Sequence, residues 1–206
     1  MEHFELNRYE NEISSITSKP IQKNKVLLVG SSLFTLWGYE RVQKLFDGEV
    51  LNHGFGGATI DEILYYYHKI VLPYEPSKII LRVGLNDIFK KAAAAQAFFL
   101  FERLVKWMHT DFPGIPITAL AIHDVPALVG ERSYAKEPVQ EFNKLLIDFA
   151  QNTAYIKLID ISEMVYADKK YAKTFTNFKD IFREDQFHFN DAGYAEFEEY
   201  FKKEIL

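Results

Sequence analysis

Short runs of apolar residues alternate with longer amphipathic segments along most of the chain. The first run, Val26-Leu27-Leu28-Val29, is continuous and rich in branched aliphatic residues, as in a strand covered on both faces of a sheet. Four later runs have a similar character, although the second run is weaker than the others. We therefore predict five strands, over residues 26–29, 49–52, 78–83, 115–122 and 155–161.

Helical periodicity fills the segments between these runs. Thr59 and Glu62 have the spacing of a capping box, and apolar residues follow at helical intervals up to Val71. Further helices are predicted over residues 92–109, from about 138 to 151, and from 190 onward, with Phe197 and Phe201 turned inward. The repeated alternation of strand and helix predicts an α/β fold with a parallel sheet and helices on both faces.

The helix over residues 92–109 carries more apolar residues than one buried stripe requires. Its expected core stripe consists of Ala94, Phe98, Phe101, Val105 and Met108. Phe99, Leu100 and Trp107 fall outside this stripe. They indicate either a contact between subunits of a homo-oligomer or a helix that is buried more deeply than usual.

Composition limits the classes of partner. The 206 residues include 24 basic and 29 acidic side chains, which give a net charge of −5, and no cysteine. This balance disfavours nucleic acid and anionic membranes as partners. The chain shows no secretory signal and no apolar run of membrane-spanning length. We expect a cytoplasmic location, with an N-terminal arm over residues 1–24 and one domain over residues 25–206.

Residues that are able to take part in catalysis or ligand binding follow the ends of the first three strands, where sites form in open parallel sheets. Ser31 and Ser32 follow the first strand, where a serine is placed either as a nucleophile or as a helix cap. The G-x-S-x-G elbow is not met, because Phe34 replaces the second glycine. A run of glycines follows the second strand and is suited to an anion cradle or to a tight turn.

Asn86 follows the third strand in the sequence Gly84-Leu85-Asn86-Asp87. Its amide is placed either to donate to an oxyanion or to form an Asx-turn that caps the next helix.

Two histidines are candidates for a catalytic base. His188 lies three residues after Asp185, a spacing that allows the carboxylate to accept the Nδ1–H bond and leave Nε2 free. His123 precedes Asp124 after the fourth strand and is a rival as base or metal ligand. No recognisable metal-binding motif supports the metal alternative.

These segments together, in this order, resemble the SGNH hydrolases, or GDSL-type esterases, which are named for a Ser, a Gly, an Asn and a His. The resemblance spans about residues 25–204 and has four blocks. They are Val29–Trp37, Asn52–Thr59, Gly84–Asp87 and Asp185–Tyr194.

The resemblance implies a flavodoxin-like three-layer α/β/α fold with a five-stranded parallel sheet. It also implies Ser32 as nucleophile, His188 as general base and Asp185 as the residue that orients His188. The oxyanion hole would then consist of the Ser32 and Gly57 amides and the Asn86 side chain, with Gly56 as the alternative to Gly57.

Two positions depart from the family pattern. Ser31 stands where the family name has Asp, and Phe189 follows His188 where Pro is usual. Neither supplies a reacting group, so the departures bear on substrate fit and on the shape of the loop.

The implied function is hydrolysis of small esters, with a short acyl group such as acetyl, through an acyl-enzyme and without a metal or organic cofactor. The alternatives are a thioesterase or lysophospholipase of the same family, or a non-catalytic binding protein on the same fold. The loop over residues 124–138, with Arg132 and Tyr134, is expected to line the acyl or alcohol pocket.

Overall fold

A five-stranded, all-parallel sheet forms the centre of the computed structural model, which describes residues 8–168, 170 and 174–205. The strands lie in the order β2-β1-β3-β4-β5, which is the flavodoxin-like order. Their bounds are β1 Val26–Gly30, β2 Val50–Gly54, β3 Lys78–Arg82, β4 Ile117–Leu120 and β5 Ile156–Ile159. All five predicted strands are confirmed, and so is the α/β fold class.

Helices flank the sheet in the described part of the chain. Their bounds are α1 Glu10–Thr17, α2 Ser32–Thr35, α3 Tyr39–Leu45, α4 Ile60–Ile70, α5 Leu85–Phe89, α6 Ala94–Asp111, α7 Lys136–Gln151 and α8 Asp191–Glu204. The predicted capping box is present at the start of α4, where the Glu62 carboxylate accepts a hydrogen bond from the Thr59 backbone N at 2.8 Å. Phe197 and Phe201 of α8 are fully buried, as predicted.

The predicted core stripe of α6 is correct at four of its five positions. Ala94, Phe101, Val105 and Met108 are buried, and Ala97 and Leu104 join them. Phe98 is only half-buried, because it lies at the edge of the stripe and packs edge-on against Phe149 of α7.

The outer face of α6 tests one of the two explanations of its extra apolar residues. Phe99 and Trp107 are 56% and 43% exposed, and Leu100 is half-buried. The expectation of a more deeply buried helix is therefore wrong for Phe99 and Trp107, and the subunit contact stays a prediction.

The N-terminal arm contains a helix that its polar sequence did not suggest. Tyr9 and Ile13, at the start of α1 and within it, are 4% and 1% exposed and belong to the main hydrophobic core. The Tyr9 ring packs edge-on against Phe55, in the loop after β2. The described part of the arm is thus held against the domain next to one of the predicted site loops.

No helix within residues 8–168, 170 and 174–205 is both long enough and apolar enough to cross a membrane.

Candidate active site

Ser32 is the first residue of α2, directly after the sharp turn that ends β1. A Cβ on Gly30 would lie 2.4 Å from the backbone O of Arg82 on the neighbouring strand, so this turn has room only for glycine. Ser31 occupies the N-cap position and is buried, yet its hydroxyl makes no capping hydrogen bond. The alternative that Ser31 or Ser32 serves as a side-chain cap is therefore wrong.

The end of β2 packs tightly against the segment that follows this turn. A Cβ on Gly54 would lie 2.7 Å from the Phe34 Cβ and 3.0 Å from the Thr35 N. The Asn52 side chain reinforces the contact by donating from Nδ2 to the Phe34 carbonyl O at 2.8 Å. Gly57 has a φ of +79°, as the tight-turn alternative expects, whereas Gly56 does not need a positive φ.

Asn86 connects the start of α5, which follows β3, to the loop after β2. The N-cap of α5 is Gly84, with a φ of +100°, and Asn86 lies inside the helix, so the Asx-turn alternative is wrong. The Asn86 Nδ2 atom donates to the Ala58 carbonyl O at 2.9 Å, directly beside Gly57. The amide group retains a second N–H for another acceptor.

Asp87, also in α5, makes a second connection to the segment that follows β2. Its carboxylate accepts hydrogen bonds from the Ile60 backbone N, in the first turn of α4, at 3.1 and 3.3 Å. Burial raises the pKa of Asp87 to about 7, although the bond from Ile60 opposes the rise.

Asp185 and His188 form the contact that their spacing predicted. The Asp185 Oδ2 atom lies 2.7 Å from the His188 Nδ1 atom, while Oδ1 accepts from the backbone N of His188 at 2.9 Å and of Phe187 at 3.1 Å. Burial acts to raise the pKa of Asp185, but the hydrogen bonds from His188 and Phe187 outweigh it and hold this pKa below its ordinary value. Asp185 is thus a carboxylate that fixes the imidazole ring.

One small cavity has both Ser32 and His188 in its wall. Its volume is about 20 Å³, and its other lining residues are Leu33, Arg82, Leu85, His123, Phe187, Phe189 and Tyr194. The His188 Nε2 atom is buried and has no hydrogen-bond partner, so Ser32 and His188 face one space without a hydrogen bond between them. Such bonds are often long in the free state of an enzyme and tighten when substrate binds.

The structure thus brings the site residues together in two groups. The first group consists of Ser32, His188 and Asp185, which binds His188. The second consists of Asn86 and the Gly57 loop, which the hydrogen bond to Ala58 joins. Gly57 and Asn86 do not line the 20 Å³ cavity.

His123 lines the cavity, but its described neighbours do not form a metal-binding cluster with it. Burial, together with the nearby Arg82 cation, holds the pKa of His123 well below its ordinary value. The neighbouring carboxylate of Asp124 accepts instead from the Tyr166 hydroxyl at 2.8 Å. The described residues contain no cluster of three or more His, Cys, Asp or Glu side chains that is able to hold a metal.

Phe189, where the family usually has proline, is 1% exposed and stacks on the His123 ring with centroids 4.8 Å apart. Its carbonyl O accepts from Arg183 Nε at 2.9 Å, so packing and this bond hold the loop in place.

Arg132 and Tyr134, in the predicted pocket loop, contact residues next to the cavity. The Arg132 guanidinium lies over the rings of Phe89 and Phe187, and the Tyr134 hydroxyl donates to the Phe89 carbonyl O at 3.0 Å. Only Phe187 of these residues is itself part of the cavity wall.

Arg82 is the residue of this cavity that sequence patterns missed. It ends β3 and is 3% exposed. The sequence signal that could have identified it is a charged residue in the otherwise apolar run Ile79-Ile80-Leu81-Arg82-Val83.

A protein-family model matches most of the chain. Residues 15–196 match the model of the GDSL-like lipase/acylhydrolase family, so the chain belongs to that family. Family membership implies hydrolase activity. A comparison with curated proteins gives no match.

Solved structures show the same fold at low sequence identity. A proposed platelet activating factor from Streptococcus pneumoniae is 20% identical, with a TM-score of 0.79 over 96% of this chain and 92% of that chain. A GDSL-like lipase from Bacteroides thetaiotaomicron is 16% identical, with a TM-score of 0.75 over 97% of both chains. A variant of an acetyl-xylooligosaccharide esterase from Geobacillus is 14% identical, with a TM-score of 0.69 over 90% of this chain and 95% of that chain.

Proposed function

We propose that this acylhydrolase is a serine esterase that cleaves small esters with short acyl groups through an acyl-enzyme. The observation that carries the proposal is the cavity that Ser32 and His188 share. Asp185 fixes the His188 ring through Nδ1, and His188 Nε2 has no hydrogen-bond partner. A serine, a free imidazole nitrogen and an orienting carboxylate are the components that nucleophilic catalysis requires.

In the proposed reaction, Ser32 Oγ attacks the ester carbonyl carbon while His188 Nε2 accepts the hydroxyl proton. Asp185 accepts the Nδ1–H bond, which keeps Nε2 in its basic tautomer and stabilises the imidazolium. His188 then gives the proton to the leaving alcohol. Water, activated by the same nitrogen, attacks the acyl-enzyme and releases the acid and the free serine.

The negative oxygen of the tetrahedral intermediate needs hydrogen-bond donors. We assign this role to the backbone N–H groups of Ser32 and Gly57 and to the second N–H of Asn86. The hydrogen bond from Asn86 to Ala58 supports the assignment, because it fixes the amide beside the Gly57 loop. A donor of this kind typically contributes about 2.7–4 kcal/mol to transition-state stability.

A short acyl group is supported by the size of the cavity. A volume of about 20 Å³ beside Ser32 is small, which favours a short acyl group over a long acyl chain. One structural neighbour is an acetyl-xylooligosaccharide esterase, which agrees with a short acyl group.

The test is hydrolysis of p-nitrophenyl esters from acetate to decanoate by the wild-type protein and by Ser32→Ala. We expect kcat/KM to fall as the chain lengthens and the variant to lose nearly all activity. A kcat/KM that climbs steadily to decanoate would contradict the short-acyl proposal and favour a lysophospholipase. Faster turnover of a matched thioester would favour a thioesterase.

A further inference from the structure

Arg82 places a buried positive charge in the wall of the cavity that holds Ser32 and His188. Arg82 is 3% exposed and belongs to β3, the central strand of the sheet. Burial lowers the pKa of Arg82 to about 10, so the guanidinium remains protonated at neutral pH.

No carboxylate within the described ranges lies close enough to pair with this charge. Ion pairs within 4.0 Å connect other arginines to acidic residues, but none involves Arg82. The Nε atom is buried and lacks a hydrogen-bond partner. A buried charge without a counter-charge is costly, so a group that supplies a negative charge here has a large driving force to bind.

The polar residues that share the cavity wall do not supply that charge. The ring of His123 is 3% exposed and neither nitrogen has a hydrogen-bond partner. The Tyr194 hydroxyl donates its proton to the Leu33 carbonyl O at 3.0 Å. Asp185 contacts His188 through Nδ1 and is not part of the wall.

We propose that Arg82 binds a carboxylate at the far end of a short acyl group, so that the preferred substrates are half-esters of small dicarboxylic acids. This inference rests on the proposed esterase function and extends it to the substrate class. The planar guanidinium matches a carboxylate through paired N–H···O bonds. His123 provides a further nitrogen near the bound group.

The wild-type protein tests the proposal without any variant. We compare kcat/KM for monoethyl succinate and for ethyl butyrate by following release of ethanol, the leaving alcohol of both esters. Charge-assisted hydrogen bonds correspond to a preference of about 10- to 100-fold for the charged ester. Equal kcat/KM values, or a preference for ethyl butyrate, would overturn the proposal.

A pair of variants locates the preference in the structure. Arg82→Met removes the charge and keeps an unbranched side chain, and we expect the ratio of the two kcat/KM values to fall to about one. Lys78→Met is the matched control, because Lys78 lies on the same strand but bonds to the Ile205 carbonyl O away from the cavity. We expect this control to keep the wild-type ratio. A ratio that persists in Arg82→Met would overturn the role of Arg82.

Labelling with a fluorophosphonate separates this inference from the proposed function. If Ser32 is labelled and ethyl butyrate is cleaved without preference for monoethyl succinate, the carboxylate inference alone is wrong. If Ser32 is not labelled and neither ester is cleaved, the proposed function and the inference are both wrong. If Arg82→Met does not fold, Arg82→Lys replaces it, and loss of paired bonding is expected to lower the ratio.

Discussion

The Asn86 side chain donates a hydrogen bond from Nδ2 to the carbonyl O of Ala58 at 2.9 Å. Asn86 lies in the first turn of α5, after β3, and Ala58 lies in the loop after β2. Since these residues are 28 positions apart, the bond joins two segments that the chain itself does not hold together. The bond leaves one N–H of the amide for a ligand and limits the directions in which it points.

Replacement of Asn86 by alanine is expected to lower kcat by about 10²–10³, because one oxyanion donor is lost. KM should change little, since the interaction strengthens only in the transition state. Steady-state kinetics with p-nitrophenyl acetate provides the measurement. Asn152→Ala is the control, because the exposed Asn152 amide donates to the Asp148 carbonyl O at the end of α7. A change confined to KM would mean that Asn86 binds substrate rather than the oxyanion.

Replacement of Asp185 by asparagine should lower kcat by at least about 10². The asparagine amide has only one acceptor oxygen, so it cannot accept both the backbone N–H bonds that Oδ1 accepts and the Nδ1–H bond that Oδ2 accepts. The basic tautomer of His188 is then no longer favoured. Glu184→Gln removes the adjacent exposed carboxylate and should retain wild-type kcat. Similar kinetics for Asp185→Asn and Glu184→Gln would show that Asp185 does not act through His188.

The pH dependence of stability should reveal Asp87. Burial raises the pKa of Asp87 to about 7, whereas an unfolded aspartate titrates near 3.9. Between these values the folded protein keeps a proton that the unfolded chain loses. The contribution of Asp87 to the free energy of unfolding therefore falls as pH rises through this window, by at most about 1.4 kcal/mol per pH unit.

The Asp87→Asn variant has no carboxyl group to titrate at this position. Its free energy of unfolding should therefore lack the decrease with pH that Asp87 contributes. Urea unfolding of both proteins at several pH values from 4.5 to 7.5 measures the difference. Asp180→Asn, at an exposed position, should follow the wild-type curve. A constant difference between wild type and Asp87→Asn across the range would contradict the assignment.

Gly193 controls how α8 meets the loop that carries His188. A Cβ at this position would lie 2.3 Å from the Ile181 carbonyl O and 2.8 Å from the Phe189 Cβ. Gly193→Ala should therefore lower the free energy of unfolding by about 1–3 kcal/mol, as other overpacked sites do. Gly130→Ala, where the nearest atom is 3.8 Å away, should be nearly neutral in the same urea titration. Equal stabilities of the two variants would rule out a tight contact at Gly193.

Features that depend on neighbouring residues were predictable from the sequence. The continuous apolar run Val26–Val29 needs burial on both faces, which predicts an interior strand of a sheet. The contact between Asp185 and His188 spans three residues and follows from local spacing. The roles of these two residues stay predictions, as does that of Ser32.

Features that depend on distant residues were not predictable. Helix α1 is held by Tyr9 and Ile13, and two buried positions in a polar segment make too weak a periodic pattern. In the sequence, Arg82 indicates only the charged end of a strand. The folded structure brings it together with Ser32 and His123 in one cavity.

The most direct test of the central claim is the position at which a fluorophosphonate attaches. Peptide mapping after labelling should place the adduct on Ser32, and Ser31→Ala should be labelled as well as the wild type while Ser32→Ala should not. Ser31 is the matched control because it is the neighbouring hydroxyl, at the N-cap of α2. An unlabelled wild-type protein, or an adduct that persists in Ser32→Ala, would contradict the claim that Ser32 is the nucleophile.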